Sequence, residues 1–227
     1  MPTFSLSRTL PFFLYLFLLG VAQWLGSAQH AGYPWIADWD LRWLYPIKVL
    51  LVGAVLWWFR RSYVELGPFS AMSLRYWLAA VSVGAAVFVL WINLDHGWFV
   101  FGSSSGFNPM DSANAIDWRL ALPRLLGAAL VVPLMEELFW RSFLMRWIDR
   151  QDFPALKPAK VSLRALLIAS VLFGFEHHLW FAGILGGLAY GGLYMRANNL
   201  WAPVVAHGVT NGLLGIWVLR TGNWQFW

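Results

Sequence analysis

Seven apolar runs, at about 10–25, 45–59, 76–94, 118–147, 165–178, 181–195 and 200–219, dominate this chain of 227 residues. A helix rises ~1.5 Å per residue and the hydrocarbon core of a bilayer is ~30 Å thick, so about 20 apolar residues cross it. Within lipid each backbone N–H and C=O must find its partner inside the protein, which makes such runs helical. Charged residues are 12% of the chain, about half the ~25% of soluble domains. The expected fold is all-α: one polytopic membrane bundle of about seven transmembrane helices, with room for an eighth or a re-entrant segment. The 17 Trp and 17 Phe residues suit lipid-facing and interfacial positions.

Charge sets an orientation. With the N-terminus in the cytoplasm, Arg60, Arg61 and Arg75, the basic series Arg146, Arg150, Lys157, Lys160 and Arg164, and Arg196 all fall inside. The loops with Asp38 and Asp40, and with Asp95, Asp111 and Asp117, fall outside. This is the alternation of the positive-inside rule. It predicts a multi-pass protein of a cell inner membrane with its C-terminus outside, and it accounts for the net charge of +5 without a nucleic-acid partner. The first run could also be read as a signal peptide, since GSAQHA supplies small residues after it. The chain has no cysteine, which excludes disulfides, thiolate metal sites and a cysteine nucleophile.

The fourth run contains PLMEELFWRSFLMRW, from Pro133 to Trp147. A charge at the centre of a membrane helix costs roughly 2.5–3.5 kcal/mol on insertion scales, and such residues mark functional sites by default. Glu137 and Arg141 are four apart and share a helix face; Glu136 is turned from them by about 100°. Pro133 predicts a kink or break in a helix otherwise longer than the bilayer needs. The fifth run ends in Phe173-Gly174-Phe175-Glu176-His177-His178, with His177 one turn beyond Phe173. Glu176 and His178 are expected to point away from His177. The last run has His207 and Asn211 on one face. Gly183, Gly187 and Gly191, spaced by four in the sixth run, predict close helix packing rather than chemistry.

Each cluster has a structural reading: an ion pair locking helices, an interfacial histidine, interhelical hydrogen bonds. Together they fit a general-base arrangement of carboxylate and imidazole that activates water, with a second imidazole and an amide facing a developing oxyanion. That set is sufficient to hydrolyse an amide without a covalent nucleophile.

The motifs EExxxR (Glu136, Glu137, Arg141), FxxxH (Phe173, His177) and HxxxN (His207, Asn211), in that order, resemble those of the CPBP (CAAX protease and bacteriocin-processing) family of intramembrane proteases. The eukaryotic Ras-converting CAAX endopeptidase is similar at a greater distance. The wording MEELFWRSFLMRW also resembles the CAAX protease-related proteins associated with bacterial exosortase systems. The resemblance covers about the C-terminal half. It implies a catalytic core at 118–220 within a single membrane domain spanning 1–227, with 1–117 as accessory spans. It further implies that Glu136 and His177 activate water, that His207 and Asn211 form the oxyanion hole, and that Glu137 and Arg141 support them. The implied substrate is a membrane-anchored or exported protein or peptide, lipidated or exosortase-associated, cleaved near its terminus. The resemblance implies a glutamate-type protease with no obligatory metal and no cofactor. HExxH is absent, yet Glu136, His177 and His207 could ligate zinc by donor type.

Two other functions fit the composition. A non-catalytic scaffold or immunity-type protein would keep the fold and the polar cluster; a transporter would line a pathway with the charges and should show internal repeats, which the halves do not display. The G-x-S-x-G stretch Gly102-Ser103-Ser104-Ser105-Gly106 lacks the strand-to-helix context of a nucleophile elbow and reads as ordinary loop.

Overall fold

A computed structural model describes residues 2–102, 104 and 106–227. Ser103 and Ser105, the variable positions of the G-x-S-x-G stretch, lie outside the described residues. Among the described residues helix is the regular secondary structure, apart from one isolated bridge between Met110 and Ile116. The main helices are α1 (Pro2–His30), α2 (Leu44–Trp58), α3 (Leu74–Asn93), α4 (Trp118–Asp149), α5 (Leu163–Phe175), α6 (Trp180–Ala197) and α7 (Trp201–Thr221). By length and apolarity five segments can each cross a membrane, α1, α2 together with the turn before it (Leu41–Trp58), α3, α4 and α7, and α5 is a shorter apolar helix.

Local sequence explains the helix ends. Asp117 starts α4, its carboxylate accepting from the Arg119 N–H at 2.9 Å, and the Ser162 hydroxyl starts α5 by accepting from the Ala165 N–H at 3.1 Å; both satisfy N–H groups that the first helical turn leaves free. Asn198 closes α6 in the left-handed conformation, φ 50°, which asparagine tolerates better than most residues. Pro203 falls in the first turn of α7, where its missing N–H costs nothing.

α4 is not a uniform helix. Two π-helical turns, Gly127–Val131 and Leu138–Leu144, flank a short α segment, Val132–Glu137. The Val132 N–H bonds to the Gly127 carbonyl and the Met145 N–H to the Trp140 carbonyl, each five residues back. Pro133 has no N–H for the Ala129 carbonyl, so the regular ladder fails there and the wider turn accommodates the failure.

α3 packs chiefly on α7, α5 on α6, and α1 on α2. The glycine stripe of α6 faces α5 as its spacing predicts. A Cβ on Gly187 would lie 2.8 Å from the Ser170 Cα, so only glycine permits this approach. α1 is built into the bundle rather than lying beside it. Phe12 is buried and stacks on Phe139 of α4 with ring centroids 3.9 Å apart. Arg8 is buried and bonds through Nε and Nη2 to both Glu65 oxygens, at 2.7 and 2.5 Å. Ser142 of α4 donates to the same carboxylate, and the Arg146 Nη2 donates to the Ser142 hydroxyl at 2.8 Å. Burial pushes the Glu65 carboxyl up, but the Arg8 hydrogen bonds and charge, aided by Ser142, hold it below its ordinary value of 4.5.

Candidate active site

The Glu136 side chain on α4 and His177 beyond the end of α5 must meet if the sequence motifs form one site. Helix length decides this. Asp149, the last residue of α4, accepts from the Ser162 N–H and hydroxyl, both at 2.6 Å, so α4 ends level with the start of α5. Glu136 lies 13 residues back along α4 (149 − 136), or about 20 Å at ~1.5 Å per residue. α5 has only 13 residues and also rises about 20 Å. Its end therefore stops at the depth of Glu136, within the bundle, and the chain turns back through 176–179 into α6. The 95–117 connection covers this turn: the Phe101 N–H donates to the His178 carbonyl at 3.0 Å and the Trp180 indole to the Trp98 carbonyl at 2.9 Å.

A cavity of about 260 Å³ lies at that depth, and Glu136, Glu176, His177, His207 and Asn211 all line it. Glu137 lies behind it with no exposed surface. The Glu137 Oε1 accepts from the Arg141 Nη1 at 3.1 Å and from the His207 Nδ1 at 3.0 Å. A carboxylate only accepts, so His207 carries a hydrogen on Nδ1 and turns Nε2 toward Glu136, whose Oε2 is 3.9 Å away. Glu137 thus orients an imidazole that reaches the neighbouring carboxylate. The Tyr190 ring stacks on His207, centroids 5.0 Å apart. The Tyr190 hydroxyl donates to Thr210 at 2.6 Å, and Thr210 donates to the Gly84 carbonyl at 2.8 Å.

His177 is fixed in a similar way. Its Nδ1 is 2.7 Å from the Phe173 carbonyl, which can only accept, so the hydrogen is on Nδ1 and a neutral ring offers its Nε2 lone pair. The Phe173 ring packs against His177 and His207, at 4.7 and 6.0 Å between centroids, and the Arg141 guanidinium lies 4.5 Å above it. The FxxxH spacing therefore supplies both a carbonyl and an aromatic wall.

Asn211 is partly committed. Its Nδ2 donates at 2.9 Å to the Ala128 carbonyl in the first π turn of α4. A Cβ on Gly208, one turn earlier, would meet the Ala129 carbonyl at 2.8 Å. Gly208 and Asn211 thus seat α7 on the irregular part of α4, and the amide has one further N–H for the cavity.

Glu176 corrects the helical-wheel expectation that set it aside. Glu176 caps α5 in helical conformation, φ −70° and ψ −20°, so the cavity takes in the helix face beside His177 as well as that of His177. Glu176 instead turns into the cavity, where its Oε2 accepts from the Trp140 indole at 3.1 Å. The carboxylates thus differ in their partners: the Glu137 Oε1 has Arg141 and His207 and the Glu176 Oε2 has Trp140, while among the described residues the buried Oε2 atoms of Glu136 and Glu137 have no hydrogen-bond partner. Among the described residues no group of three His, Cys, Asp or Glu side chains is arranged to hold a metal ion.

No curated protein and no solved structure matches the chain significantly. A family model described as type II CAAX prenyl endopeptidase Rce1-like matches residues 118–213, the stretch that contains Glu136, Glu137, Arg141, His177, His207 and Asn211. The segment 118–213 is therefore similar to the Rce1-like type II CAAX prenyl endopeptidases over somewhat less than half of the chain, within a multi-pass membrane protein.

Proposed function

We propose that this chain hydrolyses a peptide bond of a membrane-anchored or exported protein near its terminus, by water activated between Glu136 and His177. The observation that carries the reading is the convergence of Glu136, His177, His207 and Asn211 on one cavity within the matched segment. Water attacks the carbonyl carbon, and its proton passes to Glu136 or to the His177 Nε2. The carbonyl π electrons move to oxygen, and the free Asn211 N–H stabilises that oxyanion, joined by His207 when a proton shared with Glu136 sits on its Nε2, 3.9 Å from the Glu136 Oε2. The C–N bond then breaks and the amine leaves with the proton held at the site, giving a carboxylic acid and an amine. Glu137 and Arg141 act by holding His207. No step in this scheme needs a metal or other cofactor.

The reading includes the domain division, with 118–220 as catalytic core and 1–117 as accessory spans. It also includes an inner-membrane location with the N-terminus cytoplasmic and the C-terminus outside, and a lipidated or exosortase-associated substrate. The test is cleavage of candidate substrates in membranes by the wild type and by Glu136→Gln, His177→Ala and His207→Ala. Each variant should lose at least about 100-fold in rate, the low end of a general acid–base contribution. Wild-type activity in all three, with intact folding, would refute the mechanism. A cellular phenotype that persists in all three would assign the scaffold role instead.

A further inference from the structure

Two basic side chains near the site have no carboxylate partner among the described residues. Lys48 of α2 is only 6% exposed. Its Nζ lies 4.0 Å from the centroid of Tyr15 and 5.1 Å from that of Tyr45. The Arg124 guanidinium of α4 lies on Tyr45 as well, 4.3 Å from its centroid, with Trp227 at 6.0 Å. The buried Arg124 Nε has no hydrogen-bond partner, and among the described residues neither side chain forms an ion pair. Aromatic faces offset part of the cost of burying a cation. They supply no hydrogen-bond acceptor in the plane of the guanidinium, and they leave two like charges around one tyrosine ring.

Both cations line a wide cavity of about 940 Å³. Arg124, Tyr45, Leu19 and Trp227 line that cavity and also the 260 Å³ cavity that contains Glu136. The cationic chamber thus adjoins the candidate active site, with Arg124 in the shared wall. Arg124 precedes Glu136 by 12 positions on α4 (136 − 124), about 18 Å of helix at ~1.5 Å per residue. An extended peptide of about five residues covers that length at ~3.3 Å each, and fewer suffice because the arginine side chain reaches along the cavity.

We propose that Arg124 and Lys48 form the subsite for the substrate's terminal α-carboxylate, fixing the cleaved bond within about five residues of the chain end. A carboxylate matches the planar donors of arginine and the point charge of lysine. The proposal rests on the peptidase reading above. A headgroup phosphate has the same chemistry, but the wall shared with Glu136, His177 and His207 favours a group on the molecule being cleaved.

The test is binding to the full chain carrying Glu136→Gln, in phosphatidylcholine nanodiscs. The probe is an N-acetylated apolar tetrapeptide with a free terminal carboxylate, compared with the same peptide as its terminal amide. The acid should bind at least tenfold tighter. Arg124→Gln and Lys48→Met should each remove most of that preference, with folding checked separately by helical circular dichroism and a monodisperse size-exclusion profile; Arg124→Lys should retain part of it. Equal binding of acid and amide to the parent, or a preference that survives in both neutral variants, would overturn the proposal. So would displacement of the acid by phosphatidylglycerol through Arg124 and Lys48, which would assign a lipid headgroup. Binding is read without turnover, so this proposal can fail while wild-type cleavage stands, and the converse.

Discussion

Replacing Arg141 with methionine isolates the electrostatic brace of the site. Methionine keeps most of the side-chain stem, so the change removes charge and donors with little loss of volume. Glu137 is fully buried, and its Oε1 has two partners, the Arg141 Nη1 at 3.1 Å and the His207 Nδ1 at 3.0 Å. Removing one member of a buried pair leaves an uncompensated charge and costs about 3–5 kcal/mol. Loss of the cation–π contact with Phe173, at 4.5 Å, acts in the same direction by about 0.5–2 kcal/mol. The double variant Glu137→Gln/Arg141→Met removes both charges together. Exchange of a buried pair for neutral groups is often close to neutral, and the glutamine oxygen can still accept from the His207 Nδ1. Arg141→Met should therefore be destabilised by at least about 3 kcal/mol, with the double variant recovering most of that. Reversible unfolding in mixed micelles, followed by circular dichroism, measures both. A single variant within about 1 kcal/mol of the wild type, or a double variant as unstable as the sum of its singles, would show that the pair does not brace this site.

Other parts of the bundle give separate tests. The Glu65 carboxyl is depressed in the folded state, so its stabilising contribution is present above the unfolded value and lost as pH falls through the folded one. The unfolding midpoint should drop as pH goes below 4.5, and Glu65→Gln should flatten that dependence. Gly187→Leu sets a side chain against the Ser170 backbone, 2.8 Å from the Cβ position, and on the helix turn whose carbonyl accepts from the Arg141 Nη2 at 3.4 Å. It should separate α5 from α6, with loss of folded protein on size exclusion and of any cleavage. Chelator treatment should leave cleavage unchanged; a loss restored by zinc would instead make Glu136, His177 and His207 metal ligands.

The site was legible in the sequence wherever polarity itself was the anomaly. Glu136, Glu137, Arg141, His207 and Asn211 each stand inside an apolar run, where a polar side chain is costly unless it faces another. The bundle places them together. The helices of the bundle were legible for the same reason, although five of the seven are long and apolar enough to cross a bilayer and α5 and α6 are not among them. The shortness of α5 brings its end, and His177 with it, to the depth of Glu136. The buried network of Arg8, Glu65, Ser142 and Arg146 was not legible. Glu65 lies 57 residues from Arg8 and 77 from Ser142; in the sequence it belongs to an ordinary polar loop and Arg146 to a basic flank. Local pattern carries no information on which loop folds back onto which helix. Lys48 and Arg124 were hidden likewise, each near the end of a run where a cation is expected to reach the interface.

The π turns of α4 explain why helical-wheel reasoning places Glu137 and Arg141 correctly but not the relation of Glu136 to the other helices. An α-helix advances ~100° per residue. A π turn takes in one additional residue, so everything beyond it is rotated by about that amount relative to a regular helix. Between Trp118 and Val132 the chain passes one such turn, and the face that carries Glu136 is set after it. Were Gly127–Val131 regular, Glu136 would be turned away from the cavity by about 100°, and the Ala128 carbonyl would be bonded within its own helix rather than free for Asn211. Pro133 prevents that regular alternative by leaving the Ala129 carbonyl without its N–H. The proline, the π turn and the Gly208–Asn211 face of α7 thus act as one device: an irregularity in α4, fixed by a missing donor and covered by a glycine and an amide, that sets the rotation of a buried carboxylate. The costly charges at Glu136 and Glu137 are tolerable because this rotation divides them, one toward Arg141 and His207 and the other toward the cavity.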